Sequence, residues 1–230
     1  MSDPSAEAVL GLLTSLRLGD GQFPSGAFAF SGGLETLCAD GHFARGDLGA
    51  FLMGQLTGRW LPFDRAFVEA AAAAHDDADR LAELDETVDA LTVGDLQRRS
   101  SQRAGRALLG VHARLGTAGA ADYRTRVERD GLPGHQPIVQ GAMLAASGLA
   151  ISQVAACAAY GVLSSLCSAA VRLGKVSHLD AQAALVAVHP ALAAALARPA
   201  PPLDEAAAFS PLTEIAMMRH DARPSRLFSN

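Results

Sequence analysis

The chain is poor in the features that mark several common protein classes. Cysteine occurs 3 times in 230 residues. Cys157 and Cys167 fall on one predicted helix about 15 Å apart by helical rise, too far for a disulfide. Together with Cys38 they read as small buried hydrophobes. Aromatic residues make up only 5% of the chain, so the core must come from aliphatic side chains and alanine, which let helices approach closely. Basic charge is scarce as well: the net charge is −5, and without a basic half the chain has no nucleic-acid footprint. The start, Met-Ser-Asp-Pro-Ser-Ala-Glu, lacks the basic and apolar segments of a signal peptide, which makes the cytoplasm the expected compartment. Alternating strand patterns are nearly absent, which predicts an all-α fold.

What remains is helix after helix, consistent with a single-domain bundle of roughly eight to ten helices. Asp3-Pro4 predicts an N-cap and first turn for a helix over about residues 4–18, with Val9, Leu10, Leu12, Leu13 and Leu16 as its apolar stripe. Leu34, Leu37 and Cys38 continue at helical spacing to Gly41, Asp47 is placed to cap a third helix, and Pro62 to start a fourth. Residues 76–91 read as a solvated amphipathic helix. A longer one starts at Asp95, with Leu96, Ala104, Leu108 and Val111 inward and Arg98, Arg99, Arg103 and Arg106 on a solvated side. Residues 130–137 form a loop. Val154 to Val171 contains no charge and reaches the length of a membrane span, but its Ala, Ser, Cys and Gly content predicts a helix buried on all sides, with Gly161 allowing close neighbours. Ser177 and Asp180 resemble a capping box, Pro199, Pro201 and Pro202 a stiff linker, and Ser210-Pro211 the start of a last helix to Met218.

Between the first two helices lies the most unusual stretch, Leu16 to Glu35. Its glycines and Pro24 predict a defined irregular loop presenting Phe23, Phe28 and Phe30. A dinucleotide fingerprint from Gly19 would need Gly at Pro24, a phosphate loop from Gly21 would need Lys after Gly26, and no Gly-x-Ser-x-Gly elbow is present. The 7 histidines are scattered, without His-x-His, His-Glu-x-x-His or Cys-x-x-Cys, so neither a metal motif nor a cofactor site is readable. His75-Asp76-Asp77 reads as a charged helix end. A catalyst is not indicated, and the loop points to recognition.

The tail Arg219 to Asn230 is the second unusual segment. Ordering it costs on the order of 1–2 kcal/mol per residue, while burying Met218, Leu227 and Phe228 returns roughly 1.5–3 kcal/mol each. Docking on its own chain therefore falls short, and a tail with Arg219, Arg223 and Arg226 beside apolar anchors is expected to order on a partner.

Four segments in register resemble the urease accessory protein UreF family. After the first helix the family pattern falls on Pro24, Gly26, Phe28, Ser31, Gly33, Leu34 and Glu35. In the tail it falls on Met218, His220, Asp221, Ser225, Arg226, Leu227 and Phe228. Between them, Gly105-Arg106-Ala107-Leu108-Leu109 is similar to a Gly-Arg-x-Leu segment, and His135-Gln136-Pro137 with Gly141 to a His-x-Pro loop. Phe28 stands where some relatives have Tyr, which removes a hydroxyl. Ser25 replaces an aliphatic residue, and Gln102-Arg103 reverses a more usual order. The resemblance implies an all-α homodimer without a cofactor or metal of its own, a chaperone that binds UreD (UreH) and recruits the GTPase UreG for nickel delivery to the urease apoprotein. It implies partner contacts in the first loop and the tail, at Pro24, Gly26, Phe28, Phe30, Ser31, Glu35, Met218, His220, Ser225, Arg226, Leu227 and Phe228, with Arg106 beside them. An alternative expectation is activation of UreG hydrolysis by an arginine such as Arg106 or Arg226. Neither nucleic acid nor membrane is expected as a partner.

Overall fold

A computed structural model describes residues 5–220 and 227–229. The described residues contain helices and turns but no strand, so the fold is all-α. Helix α1 (Ala6–Gly19) is capped by Ser5, whose Oγ accepts from the Ala8 N–H at 3.2 Å; the expected cap at Asp3-Pro4 lies outside the described residues. The leucine stripe that defines α1 is not buried. No residue of α1 is buried; it leans on α9, through Gly19 against Tyr160 and Gly11 against Gln153.

After the first loop come α2 (Leu34–Ala39) and a short 3-10 turn (Arg45–Asp47) that leads into α3 (Leu48–Gln55). Asp47 stands at the N-cap position of α3 as expected, but its side chain does not bond the helix: its carboxylate accepts from the Ala44 N–H at 2.6 Å and closes the preceding turn. Pro62 does not start a helix either. It lies inside a π-helical stretch (Leu56–Asp64) that runs unbroken into α4 (Arg65–Ala73). Proline lacks the N–H that a regular turn would aim at the Gly58 carbonyl. That carbonyl accepts from the Phe209 N–H at 2.7 Å, and the Pro62 carbonyl from the Ala207 N–H at 3.1 Å. The stretch from Pro199 to Ser210 is thus no free linker but a strap hydrogen-bonded along the π turn.

Helices α5 (Ala78–Leu91), α6 (Asp95–Arg114), α7 (Ala120–Arg129) and α8 (Gln136–Ala146) pack with the inner side of α4 around Phe67, Leu84, Leu109, Ile138 and Met143. The other side of α4 meets a second cluster formed with α3, α9 (Ile151–Arg172) and α10 (His178–Leu196), around Leu52, Leu56, Leu163 and Leu185. Each of these fully buried side chains contributes roughly 1.5–3 kcal/mol. The charge-free run predicts burial on all sides, and α9 is largely but not wholly enclosed: between Val154 and Val171 half of the residues are buried, most others half-buried, and only Ala156 is exposed. Gly161 is not a close-approach site, since a Cβ there would meet only Gln140 Nε2, at 3.9 Å. A close approach does occur at Gly141 of α8, where a Cβ would run into the Val68 carbonyl of α4. By length and composition α9 and α10 could each cross a membrane, with half of α9's apolar window buried and 22% of α10's. Arg65, itself buried, donates to the Ala195 and Arg198 carbonyls and terminates α10, where a cation also suits the helix dipole. The Ser177 and Asp180 capping box is present. Helix α11 (Pro211–His220) ends the described part of the body.

One buried histidine couples this core to pH. His112 of α6 is 1% exposed, bonds Thr117 Oγ1 at 2.9 Å through Nδ1 and packs at a tilt against Phe23. Burial, helped by the charge of Arg17, pushes its pKa from 6.5 down to about 4. The folded state holds the neutral ring, so its contribution is complete above pH 6.5 and lost as pH falls towards about 4. The full loss amounts to about 3 kcal/mol. Chemical denaturation at pH 7.5 and pH 5 should therefore show lower stability at pH 5, and His112→Gln should flatten that difference; an unchanged difference in the variant assigns the effect elsewhere.

Candidate functional site

The first loop is shaped by left-handed glycines and held on three sides. Gly26 (φ 78°) lies against Ala107 of α6, and Gly33 (φ 84°) against the Thr213 carbonyl of α11. These backbone angles are closed to most side chains. Between them Ala27–Ala29 forms a 3-10 turn, and Ser31 Oγ accepts from the Glu35 N–H at 3.3 Å. The three phenylalanines part ways. Phe23 turns in against His112, Phe30 is half-buried with the Arg103 guanidinium 5.7 Å above its ring, and Phe28 points outward, 65% exposed. Pro24 is exposed and Gly26 half-buried.

Glu35 opens α2 and faces inward, 7% exposed. Its carboxylate accepts from the Leu227 N–H at 2.7 Å, the Phe228 N–H at 3.3 Å and His220 Nε2 at 2.9 Å. Burial pushes the carboxyl pKa up, but the Leu227 N–H, the His220 ring and the Phe228 N–H outweigh it and hold Glu35 below its ordinary value. Residues 220, 227 and 228 are thereby fastened to the end of the loop. Phe228 is buried in the α9 and α10 core, and the Ser229 N–H donates to the Ala29 carbonyl at 2.8 Å. Arg172, the last residue of α9, lies between two rings, 3.6 Å from the Phe28 centroid and 4.3 Å from that of Phe228, and donates to the Phe28 carbonyl.

This corrects the expectation that the tail cannot dock on its own chain. Counting apolar burial alone omitted the charge-assisted bonds to Glu35, each worth about 1.5–3 kcal/mol, and the ring–cation stack, which adds about 0.5–2 kcal/mol. The residues expected to contact partners now divide. Ser31, Glu35 and His220 are buried and set the shape of the surface; Phe28 and Leu227 form it, at 65% and 53% exposure, while Met218 is exposed on α11, at 60%. Met218 continues an outward row from Phe209, Leu212 and Ile215. Asp221, Arg223, Ser225 and Arg226 lie outside the described residues.

Arg106 is exposed, and its guanidinium is held by the Pro133 carbonyl at 2.9 Å and the Leu132 carbonyl at 3.4 Å. It braces the 130–137 loop. Nor are its neighbours simply solvated: Arg98 bonds the Asp89 and Thr92 carbonyls. The same loop is anchored from beneath by Asp85, which sequence reasoning passed over. Asp85 is fully buried and accepts from Tyr123 Oη, the Gly134 N–H and the His135 N–H at 2.9, 2.6 and 2.8 Å. Burial pushes its pKa up against these donors. Below the loop sits a cavity of about 150 Å³ lined by Phe30, Arg59, Trp60, Asp64 and Ser210, with Trp60 Nε1 and Ser210 Oγ lacking partners. Among the described residues no group of three His, Cys, Asp or Glu side chains is placed to hold a metal ion.

Arg172 and Asp85 gave no motif. The one signal for Arg172 was its place at the end of a charge-free run; Asp85 sits in an acid-rich segment indistinguishable from a solvated face. Against known proteins, the family model UreF matches residues 44–189. The chain is 33% identical to the urease accessory protein UreF of Cereibacter sphaeroides (strain KD131 / KCTC 12085), over 90% of this chain and 92% of that one. It is 30% identical to the protein of that name from Kocuria rhizophila, over 99% of both chains, and 28% identical to that of Actinobacillus pleuropneumoniae serotype 5b, over 93% and 96%.

Proposed function

The chain belongs to the urease accessory protein UreF family, and from that premise we infer that it is a maturation chaperone and adaptor rather than a catalyst. In this reading it binds UreD (UreH) in the cytoplasm and recruits the GTPase UreG, so that nickel reaches the urease apoprotein in a GTP-dependent step. The observation that carries the reading is the fastening of the C-terminal end onto the first loop through Glu35. It joins the two segments that the family resemblance implicates in partner contact into one surface. A surface held in shape before binding loses less entropy on docking than a free tail would. The uncovered apolar side chains of α1 and of α10, such as Leu13 at 56% and Leu179 at 82% exposure, suit further contacts, among them a homodimer.

Truncation tests this. The cut belongs after His220, because His220 is fully buried against Glu35. Co-produced with UreD, a chain ending at His220 should keep its helical circular dichroism and lose co-purification. Leu227→Asp should do the same within the full chain. Retained co-purification by both variants would remove the tail from the docking surface.

A further inference from the structure

Among the described residues, the face around Phe28 carries more positive charge than it neutralises. Arg172 and Arg103 both reach the last described residues, Arg172 stacking on Phe228 and Arg103 donating to the Ser229 carbonyl at 3.2 Å. Both also lie over loop rings, Phe28 and Phe30. Arg106 stands one helical turn from Arg103 on α6. Among the described residues none of the three forms an ion pair, and the one carboxylate at the heart of the face, Glu35, is turned inward and fully engaged. For Arg172 and Arg103 most guanidinium N–H donors have no acceptor among the described residues. Uncompensated cations held rigidly on aromatic rings, in a chain of net charge −5, are an arrangement that a complementary anion stabilises.

We propose that this face recognises a segment of a protein partner that carries carboxylates next to apolar side chains. The carboxylates take the outward guanidinium edges of Arg172 and Arg103, and the apolar neighbours cover Phe28 and Leu227. Arginine fixed by ring stacking offers its planar fork with little further loss of freedom, and Arg beside aromatic residues is a frequent centre of binding energy. The outward Phe28 and Leu227 favour a protein over a nucleic acid, whose backbone offers no apolar complement. The proposal rests on the adaptor reading for its biological setting and on the geometry for its chemistry.

Fluorescence anisotropy with a labelled peptide of alternating Leu and Glu, and its Leu and Gln counterpart, tests the chemistry on the full chain. The Glu peptide should bind at least tenfold more tightly. Arg172→Gln and Arg103→Gln should each weaken it at least tenfold, while Arg129→Gln, remote on α7, leaves it unchanged; Arg172→Lys serves should the Gln variant lose its circular dichroism. Equal binding of the two peptides, an equal loss in Arg129→Gln, or tighter binding of a DNA oligonucleotide overturns the proposal. Co-purification with UreD separates the two readings. Acid-selective peptide binding without UreD binding sinks the adaptor reading alone, and UreD binding untouched by both Arg variants sinks this proposal alone.

Discussion

Glu35→Gln should detach the C-terminal end from the body and abolish partner co-purification while leaving the helices folded. Glu35 accepts three hydrogen bonds from donors that share one buried carboxylate. The amide is nearly isosteric, but it replaces one acceptor oxygen by an NH2 group directed at N–H donors. At least one donor is then left without a partner at a cost of about 1–3 kcal/mol, and the charge-assisted strength of the others falls. What remains on the docked side is chiefly Phe228 burial, about 1.5–3 kcal/mol, against an ordering cost of about 1–2 kcal/mol for each residue fixed. The balance tips to the detached state. Amide exchange at Leu227 and Phe228 should accelerate at least tenfold, and partner binding should fall with it. Retained protection of those two amides would show that Phe228 and the Arg172 stack suffice.

Gly141→Ala should be strongly destabilising for a change of a single methyl group. The added Cβ would run into the Val68 carbonyl and come within 2.9 Å of the Ala71 Cβ. Backbone cannot yield as a side chain can, so α8 must move off α4 and loosen the core on both sides of it. Overpacking costs about 1–3 kcal/mol where side chains can adjust; about 3 kcal/mol or more is expected here, lowering the melting temperature by roughly 6–12 °C for a chain of this size. Gly161→Ala in α9 is the matched control. Its Cβ meets only Gln140 Nε2 at 3.9 Å, so the usual gain of about 0.5–1 kcal/mol for replacing a mid-helix glycine applies. Melts that coincide for the two variants would refute the close-approach reading of Gly141.

The difference between these two glycines illustrates what a sequence can carry. Both sit in helical patterns rich in small residues, and spacing gives them equal claim to a close contact. Only the crossing of α8 over α4 distinguishes them. Pro62 behaves likewise. As a local signal it starts helices, but in the fold the strap after α10 takes the carbonyls that the proline leaves free, so the helix continues through a π turn. Leucines at helical spacing fixed α1 as a helix without fixing it as buried.

Composition, periodicity and capping residues determined by themselves that the chain is all helical, where most helices begin and end, and that the first loop and the tail are its unusual segments. Those features follow from interactions within a few residues of sequence: backbone angles, caps and the 3.6-residue period. That the two unusual segments form one surface was decided only by the tertiary structure. It depends on a carboxylate at residue 35 meeting N–H groups at residues 227 and 228, and on Arg172 lying between Phe28 and Phe228. Partners so distant along the chain leave no local pattern. They meet because α2, α9 and α11 are packed side by side, and burial then makes an unsatisfied carboxylate or N–H group too costly to leave unpaired.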